Sequence, residues 1–290
     1  MSARFSQLAR MRLGHGAESF QRWLSEELRY SRMSLGLGPI AADLRSRASI
    51  GLLGLPIIAQ LQQREGARAV RVRIRLKDRV FAVFLRGRMD LEVLHEIAIN
   101  DEYGQTDYLE ARTIVDLGAH IGLATLRLLA GNPGAHVVAV EADPVLVQRL
   151  RANVSGLPVT VVHAAVAAEV GERAFFRADR SSWANSLTWA HPSQTAITVP
   201  SITLEALLES QQLRLVDILK IDVEGAEWEV LADGVPDSIH SIVGEFHAQD
   251  GREPRALMQS VAGAMNVQVV RDDDGLLVFS ASRSDRRRRI

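Results

Sequence analysis

One short run, Thr113–Gly122, constrains the fold of this chain more than any other part of the sequence. Its first half is mainly apolar, apart from Asp116, and is typical of a buried strand. The two glycines that follow predict a tight turn opening into a helix. The next apolar run, Val137–Val140, ends in Glu141. A strand, a glycine turn, a helix and a second strand make a βαβ unit, so the sequence predicts a parallel sheet covered by helices.

Strands and helices continue to alternate after this unit. Apolar runs predict strands at Thr113–Leu117, His136–Glu141, Val159–Val166, Asp217–Asp222 and His240–Phe246. Helical patterns predict helices at Leu123–Ala130, Pro144–Asn153, Leu204–Glu209, Ala226–Leu231 and Pro254–Ala264. Near the C-terminus, Val267–Val270 and Leu276–Phe279 are joined by so short a link that they must be antiparallel. We expect an α/β fold with a mostly parallel, Rossmann-like sheet and a C-terminal antiparallel hairpin.

The N-terminal part has a different pattern. Helical periodicity covers about Gly16 to Ser31 and roughly Ile40 to Arg64, and then the period changes to two. Val70–Leu76 and Val80–Leu85 alternate as a β-hairpin with an arginine-rich solvent face. We predict a helical cover or dimerisation arm at residues 1–68, the main domain with its lead-in hairpin at 69–282, and a disordered basic tail at 283–290.

Composition excludes several classes of protein. The formal net charge is -1, so bulk electrostatics does not favour nucleic acid or an anionic membrane as a partner. Cysteine is absent, which excludes disulfides and thiolate metal sites. No stretch is apolar for long enough to span a bilayer, and the first residues lack the apolar core of a secretory signal. These features predict a cytoplasmic protein.

The glycine turn also indicates the kind of ligand. Its spacing is Gly-x-x-x-Gly, with Ala119 and His120 where a pyrophosphate loop needs a further glycine, which argues against a nicotinamide dehydrogenase. Glu141 stands where ribose hydroxyls are held in such units. A ribosyl ligand without phosphates, such as S-adenosyl-L-methionine, fits both features and makes a methyltransferase the leading hypothesis. The residues that we expect to bind this cofactor are Asp116, Gly118, Ala119, His120, Ile121, Gly122, Glu141 and Asp222.

A second polar cluster lies within Leu219–Glu227. If the strand stayed extended, Lys220, Asp222 and Glu224 would share one side of it. Asp222 is then placed to face the reacting group, and Glu224 would begin the next helix as a cap or a substrate contact. Lys220 either pairs with a carboxylate or contacts the substrate.

The following strand ends in Glu245 and His247, which project to one side. By the strand order expected for such a sheet, they lie adjacent to Asp222. Histidine is the usual base for removing a hydroxyl proton near neutral pH, so His247 is the first candidate, with Asp222 and Glu224 as alternatives. Glu245 and Lys220 are candidate substrate contacts. These carboxylates and His247 could hold a divalent cation, but we predict a site without a metal.

A polar loop supplies a candidate wall or lid for the substrate. It contains Trp183, Trp189 and His191 between two predicted elements. Tryptophans also anchor loops against a core, so both interpretations stay open at this stage.

Four motifs together resemble the FkbM family of methyltransferases that use S-adenosylmethionine. They are Asp116-Leu117-Gly118-Ala119-His120-Ile121-Gly122, Glu141-Ala142-Asp143-Pro144, Lys220-Ile221-Asp222-Val223-Glu224-Gly225-Ala226-Glu227 and Glu245-x-His247. An upstream piece, Leu85-Arg86-x-x-x-Asp90 followed by Tyr103, is similar to the family's lead-in, so the likeness covers roughly Val70 to Ser280. Family members usually have Asn where His120 stands and Phe-Glu-Pro where Val140-Glu141-Ala142 stands. The resemblance implies a seven-stranded Rossmann-like sheet and, most often, O-methylation of secondary metabolites, sugars or related small molecules.

We therefore expect an O-methyltransferase that acts on a hydroxyl of a small molecule, in a natural-product or sugar tailoring step. An N-methyltransferase acting on a small molecule or peptide is the alternative within enzymes. A catalytically silent module that binds the cofactor, with the N-terminal helices as a partner interface, is the alternative outside them. The same helices could join two copies of the chain as a homodimer.

Overall fold

The computed structural model describes residues 16–55, 69–107, 110–178, 194–273 and 275–283. Its strands are β1 (Val70–Leu76), β2 (Arg79–Leu85), β3 (Thr113–Leu117), β4 (His136–Glu141), β5 (Val159–His163), β6 (Ala165–Val166), β7 (Gly171–Ala178), β8 (Gln194–Ile202), β9 (Val216–Ile221), β10 (Ile239–His247), β11 (Asn266–Asp273) and β12 (Leu276–Ser282). Its α-helices are α1 (Gly16–Gly36), α2 (Leu44–Leu53), α3 (Arg88–Ala98), α4 (Leu123–Gly131), α5 (Pro144–Asn153), α6 (Leu204–Ser210), α7 (Glu227–Val230) and α8 (Pro254–Ala262). The chain divides into two compact units, Met1–Arg75 with Ala82–His95 and Leu76–Phe81 with Glu96–Ile290.

The smaller unit contains the predicted N-terminal helices. α1 ends five residues beyond its predicted end. α2 begins at Leu44, later than predicted, because Asp43 caps its start: the Asp43 carboxylate accepts from the Ser46 amide at 2.8 Å. The helix ends at Leu53. Arg88 bonds to Glu27, and its guanidinium lies 4.4 Å from the centre of the Tyr30 ring. Residues 56–68, the remainder of the second predicted helix, lie outside the described residues.

The predicted hairpin is confirmed. β1 and β2 form a two-stranded sheet, and β1 alternates buried apolar residues with exposed arginines. The link between the two strands is Lys77-Asp78, as the period-two pattern indicated. The hairpin tip, Leu76–Phe81, belongs to the larger unit. The division at residues 68 and 69 stays a prediction.

The larger unit is built on a seven-stranded sheet in the order β11-β12-β10-β9-β3-β4-β5. β5, β4, β3, β9 and β10 are parallel, and β12 is antiparallel to both β10 and β11. This is the mostly parallel sheet with a C-terminal antiparallel hairpin that the sequence predicted, and the fold class is confirmed. The order reverses at the β3–β9 pair, which makes the carboxyl ends of these strands the place where ligands bind in open α/β sheets.

Apolar packing on both faces holds this sheet in place. Ile218, Leu219 and Ile221 of β9 are fully buried, in agreement with the continuous apolar run in the sequence. Phe246 of β10 packs on Phe279 of β12 with ring centroids 4.2 Å apart. Each large side chain buried in this way contributes about 1.5–3 kcal/mol, so the strands that carry the polar clusters are rigidly supported.

A third, three-stranded sheet was not predicted. β8 pairs with β6 in parallel and with β7 antiparallel. The predicted strand Val159–Val166 is broken at Ala164, because its last two residues leave the main sheet to join this smaller one. Among the described residues, no helix has the length and apolar character needed to cross a membrane.

Candidate active site

The predicted site residues meet at one edge of the main sheet. In the strand register, Asp116 lies beside Lys220, Leu117 beside Ile221, and Ile221 beside Gly244. The residues that follow these positions therefore leave the sheet together, at the carboxyl ends of β3, β9 and β10. β10 is the direct neighbour of β9, so the predicted proximity of the Glu245–His247 end to Asp222 is confirmed.

The turn after β3 accepts only glycine at its first position. Gly118 has φ +75°, and a Cβ built there would lie 1.8 Å from the carbonyl oxygen of Asp222. The amides of Gly118 and Ala119 both donate to the Val140 carbonyl, at 3.0 and 2.9 Å. The side-chain amide of Asn153 donates to the Ile121 carbonyl at 2.8 Å. These hydrogen bonds tie the turn to two neighbouring elements, β4 and α5, and the Ala119 and Ile121 side chains are buried.

Glu141 closes the second strand with a nearly buried carboxylate. One oxygen accepts from the His120 amide and the other from the Asp143 amide, both at 2.8 Å. Burial raises the pKa of Glu141 to about 7, although these two hydrogen bonds favour its ionised form. His120 itself takes a left-handed conformation, with φ +52°, which brings its amide to Glu141.

Asp116 and Lys220 form a buried ion pair beneath the turn. The Lys220 ammonium lies 3.3 Å from Asp116 and donates to the carbonyls of Leu117 and Gly118 at 3.2 and 2.8 Å. Thr125 of α4 donates to the second Asp116 oxygen at 2.5 Å. Burial disfavours the ammonium, but the charges of Asp116 and Asp222 outweigh it and raise the pKa of Lys220. In this arrangement Lys220 supports the backbone of the turn.

The chain after β9 departs from the expected extended path. β9 ends at Ile221, and Glu224 is left-handed with φ +53°. The expectation that Lys220, Asp222 and Glu224 share one strand face is therefore wrong, because the period-two rule applies only while the backbone is extended. Glu224 also does not begin the helix, since α7 starts at Glu227. The Asp222 side chain is partly exposed, and its carboxylate lies 3.5 Å from the Lys220 ammonium.

His247 lies at the end of β10 and is oriented by a buried carboxylate. Its Nδ1 is 3.0 Å from Oε1 of Glu227, which is fully buried. The other ring nitrogen, Nε2, lies 3.7 Å from Glu224 and 3.9 Å from Glu245. Burial opposes the charged ring, but the hydrogen bond to Glu227 and the surrounding carboxylates outweigh this effect and raise the pKa of His247 to about 10.

The remaining carboxylates of the cluster repel one another. Burial and the charge of Asp222 raise the pKa of Glu245 to about 8 and that of Glu224 well above its usual range. Two residues ahead of β3 belong to the same environment. Burial and the charges of Asp222 and Glu245 raise the pKa of Tyr103, and burial raises that of Glu102 although Arg271 donates to it at 3.0 Å.

One set of side chains within the described ranges has donor atoms close enough to hold a metal ion. Asp222, Glu227 and His247 offer atoms within 4.8 Å of one another. Nδ1 of His247 already lies at hydrogen-bond distance from Glu227, and Glu227 also accepts from the amides of Val223 and Gly225 at 3.0 Å each. A carboxylate whose oxygens are both engaged in hydrogen bonds in this way orients its partners. We still predict a site without a metal.

The three candidate residues of the substrate loop, Trp183, Trp189 and His191, lie outside the described residues. Their role stays a prediction. The strands on either side of the loop, β7 and β8, are antiparallel neighbours, so both ends of the loop lie at the same end of the small sheet.

With the geometry in place, comparison with known proteins identifies the family. A model of the methyltransferase FkbM domain matches residues 116–269, more than half of the chain. The chain belongs to the FkbM methyltransferase family. The match runs from Asp116 to Val269 and so includes both polar clusters, but it is narrower than the likeness expected from Val70 to Ser280. No curated protein matches the chain.

Solved structures similar to this FkbM chain are distant. The FkbM methyltransferase of Methylobacillus flagellatus KT is 12% identical, with 90% of this chain and 60% of that chain covered and a TM-score of 0.40. The O-methyltransferase of Bacillus cereus, solved with S-adenosylhomocysteine, is 16% identical, with 66% and 91% covered and a TM-score of 0.37. The precorrin-6y C5,15-methyltransferase of Geobacter metallireducens GS-15 is 14% identical, with 64% and 88% covered and a TM-score of 0.38. At such TM-scores these likenesses carry no argument about activity.

Sequence reasoning missed three residues of the site in this FkbM domain. Glu227 was quoted within a motif but given no role, and Glu102 was not noticed. Tyr103 was assigned only to the family's lead-in. A signal existed for Glu227, since a carboxylate at the first helical position, directly after a glycine turn, is well placed to bind the free amides of that turn. No local pattern links Glu102 and Tyr103 to Asp222, because their electrostatic interaction with it depends on the tertiary fold.

Proposed function

We propose that this FkbM chain is an O-methyltransferase that transfers a methyl group from S-adenosylmethionine to a hydroxyl of a small molecule, as a natural-product or sugar tailoring step. One observation carries the proposal. The glycine turn with Glu141 and the cluster around His247 lie at the same edge of the sheet, on either side of the point where the strand order reverses. A nucleoside site and an acid–base cluster thus adjoin one crevice.

The residues on the β3–β4 side fit the proposed cofactor. Each Glu141 oxygen accepts one backbone amide, so lone pairs remain for two ribose hydroxyls. Gly118, which has no side chain, lets the backbone of Asp222 pack against the turn, and this places the Asp222 carboxylate near the proposed cofactor site. When bound, the cofactor supplies a methyl group on a positively charged sulfur, an electrophile that needs no further activation.

The residues on the β9–β10 side would then orient the acceptor and take its proton. Nε2 of His247 is the proposed proton acceptor in the neutral ring, which the raised pKa of about 10 makes the minor form near neutral pH, with Asp222 and Glu224 as alternatives. Glu245 is a proposed hydrogen-bond acceptor for the substrate. Lys220 was a candidate substrate contact, but its ammonium is buried against the carbonyls of the turn, so we assign it to support of the site.

Calorimetric titration with S-adenosylhomocysteine tests the cofactor half of the proposal. We expect binding to the wild type in the micromolar range and a loss of about 100-fold in Glu141→Ala, which removes two charged hydrogen bonds of about 1.5 kcal/mol each. Glu209→Ala removes an exposed carboxylate of α6 and is the matched control. An absence of binding to the wild type would overturn the cofactor assignment and the methyltransferase proposal with it.

Transfer of a deuterated methyl group tests turnover. The protein is incubated with S-adenosylmethionine carrying a CD3 group and with small-molecule extracts, and labelled products are found by mass spectrometry. The proposal is supported if the wild type forms a product with the CD3 group on a hydroxyl oxygen and His247→Gln does not form it. Cofactor binding without label in any extract would favour the silent cofactor-binding module.

N-methylation is a second candidate, and one observation favours it. Asp222, Glu224 and Glu245 lie together, and a bound cationic amine would favour the ionised forms that burial and mutual repulsion disfavour. Fragmentation of the labelled product decides between the two reactions, because it places the CD3 group on oxygen or on nitrogen.

A homodimer formed through the N-terminal helices also belongs to the proposal. α1 exposes three leucines, Leu24, Leu28 and Leu35, by 42%, 49% and 72%. A second copy of the chain would cover such an apolar stripe. Light scattering should give the mass of a dimer for the wild type and of a monomer for Leu28→Glu; a monomeric wild type contradicts the arrangement.

A further inference from the structure

We propose that Glu227 is a positioning residue for methyl transfer, which holds the His247 ring so that Nδ1 carries a proton and Nε2 faces the acceptor. The inference deepens the proposed function, because it rests on His247 as the base. It assigns a role to a side chain that touches neither cofactor nor acceptor.

The geometry of Glu227 carries the inference. Its fully buried carboxylate accepts from the amides of Val223 and Gly225 at 3.0 Å and lies 3.0 Å from Nδ1 of His247. The two amide bonds hold the carboxylate at a defined place at the start of α7. Both oxygens of Glu227 already accept from backbone amides, so we assign the imidazole as the donor in this contact. That bond selects the tautomer in which Nε2 is the unprotonated nitrogen of the neutral ring.

The backbone of His247 is held as well, so the ring has little freedom to turn away. The Trp228 indole nitrogen, on the residue next to Glu227, donates to the His247 carbonyl at 2.9 Å. Residues of α7 thus contact both the ring and the main chain of His247 at hydrogen-bond distance. With the ring fixed, Nε2 is directed to the side where Glu224 and Glu245 lie at 3.7 and 3.9 Å.

Four carboxylates face the ring, and their positions differ. Glu227 approaches from α7 and Glu224 from the turn before it, while Asp222 lies at the end of β9 and Glu245 on β10 itself. Of these, Glu227 makes the one contact at hydrogen-bond distance that the described residues show for the ring nitrogens. Removing its charge should therefore lower the affinity of the ring for a proton and release the tautomer. Unfolding would have the same effect on the ring, so the comparison is made in variants that keep the backbone amide spectrum of the wild type.

Nuclear magnetic resonance of histidine labelled with ¹³C and ¹⁵N tests the inference without cofactor or acceptor. The signals of His247 are identified by their loss in His247→Gln. We expect the titration midpoint to fall in Glu227→Gln by at least about one pH unit, a tenfold change in proton affinity. We also expect the neutral ring to change from a single Nδ1–H tautomer to a mixture.

Two further variants make the result decisive. Glu229 lies two residues further along α7, and its carboxylate accepts from Arg173 rather than facing His247. The control variant Glu229→Gln should therefore leave the His247 signals unchanged. Glu227→Asp keeps the charge with a shorter reach and gives an intermediate midpoint, which serves if Glu227→Gln fails to fold. An unchanged midpoint and tautomer in a folded Glu227 variant would overturn the inference. Failure of the wild type to transfer methyl groups would overturn the proposed function but leave this measurement intact.

Discussion

The two halves of the candidate site satisfy their polar groups in opposite ways. On the β3–β4 side, the carboxylates are bonded to the chain's own groups: Glu141 accepts two backbone amides, and Asp116 has Lys220 and Thr125. On the β9–β10 side, Glu224 and Glu245 lie near other carboxylates and 3.7 and 3.9 Å from Nε2 of His247. The first half is held by hydrogen bonds and an ion pair, whereas in the second half burial and neighbouring carboxylates raise the pKa values of Glu224 and Glu245.

The difference indicates where each half obtains its stability. A site that only has to bind the same nucleoside each time can be preorganised by the fold, at no cost when the ligand arrives. A site that must exchange a proton needs groups whose pKa values differ from their usual ones, and this requires burial and repulsion. We expect mutations in the first half to destabilise the protein and the removal of a charge in the second half to stabilise it.

Gly118→Ala should have the largest effect. A Cβ at 1.8 Å from the Asp222 carbonyl oxygen cannot be accommodated without moving β9, so we expect a loss of more than about 4 kcal/mol in the free energy of unfolding. Gly156→Ala is the matched control, because Gly156 has φ +76° but open space around its Cα, and should cost about 1–2 kcal/mol. Denaturant unfolding of both variants measures the difference. Equal losses would show that the conformation alone, and not the contact between the halves, requires glycine.

Lys220→Met should follow. The substitution leaves Asp116 buried without its cation, which we expect to cost about 3–5 kcal/mol. Lys77, the other lysine of the chain, is half-exposed and pairs with Asp107, so Lys77→Met should cost less than about 1 kcal/mol. Chemical denaturation measures the free energies of unfolding of both variants and of the wild type. A small loss in Lys220→Met would contradict the assignment of this ion pair to support of the turn.

Thr125→Val should cost about 1.5–3 kcal/mol, because it removes a hydrogen bond to a buried carboxylate while keeping the shape of the side chain. Thr125→Ser keeps the hydroxyl and should recover the hydrogen bond, less the contribution of one methyl group. Thermal unfolding near neutral pH compares the three proteins. If valine and serine destabilise equally, the hydroxyl of Thr125 is not what stabilises Asp116.

Glu245→Gln should give the smallest effect and the opposite sign. Because folding raises the pKa of Glu245 to about 8, the wild type loses stability as pH rises from the ordinary value through pH 8. The neutral amide avoids this loss, so the variant should be more stable by about 1–2 kcal/mol above pH 8 and equal to the wild type near pH 4.5. Melting temperatures across this pH range measure the difference in stability between the variant and the wild type. Glu253→Gln, in an exposed carboxylate, should change stability by less than about 0.5 kcal/mol at any pH.

The same contrast explains how much could be predicted from the sequence. β3, β4 and α5 begin and end where predicted, because apolar runs and the Asp143–Pro144 helix start are local signals. The adjacency of Asp222 and the Glu245–His247 strand end followed from topology rules that hold for most α/β proteins. The path after Ile221 could not be predicted, since the left-handed Glu224 depends on Glu227 binding the amides of the turn. β7 and β8 were missed because their exposed, mixed-polarity residues give a weak strand pattern.

The position of β12 has a consequence for the way the protein is made. β12 is inserted between β10 and β11, so the strand that bears Glu245 and His247 gains its second neighbour only from Leu276–Ser282. A chain emerging from the ribosome can pair β3, β4, β5 and β9 long before that segment has been synthesised. Until then, β10 presents an open edge, the kind of surface that recruits other chains and leads to aggregation. The half proposed to hold the nucleoside is therefore expected to assemble early, and the half proposed to transfer the proton only when synthesis of the sheet is complete.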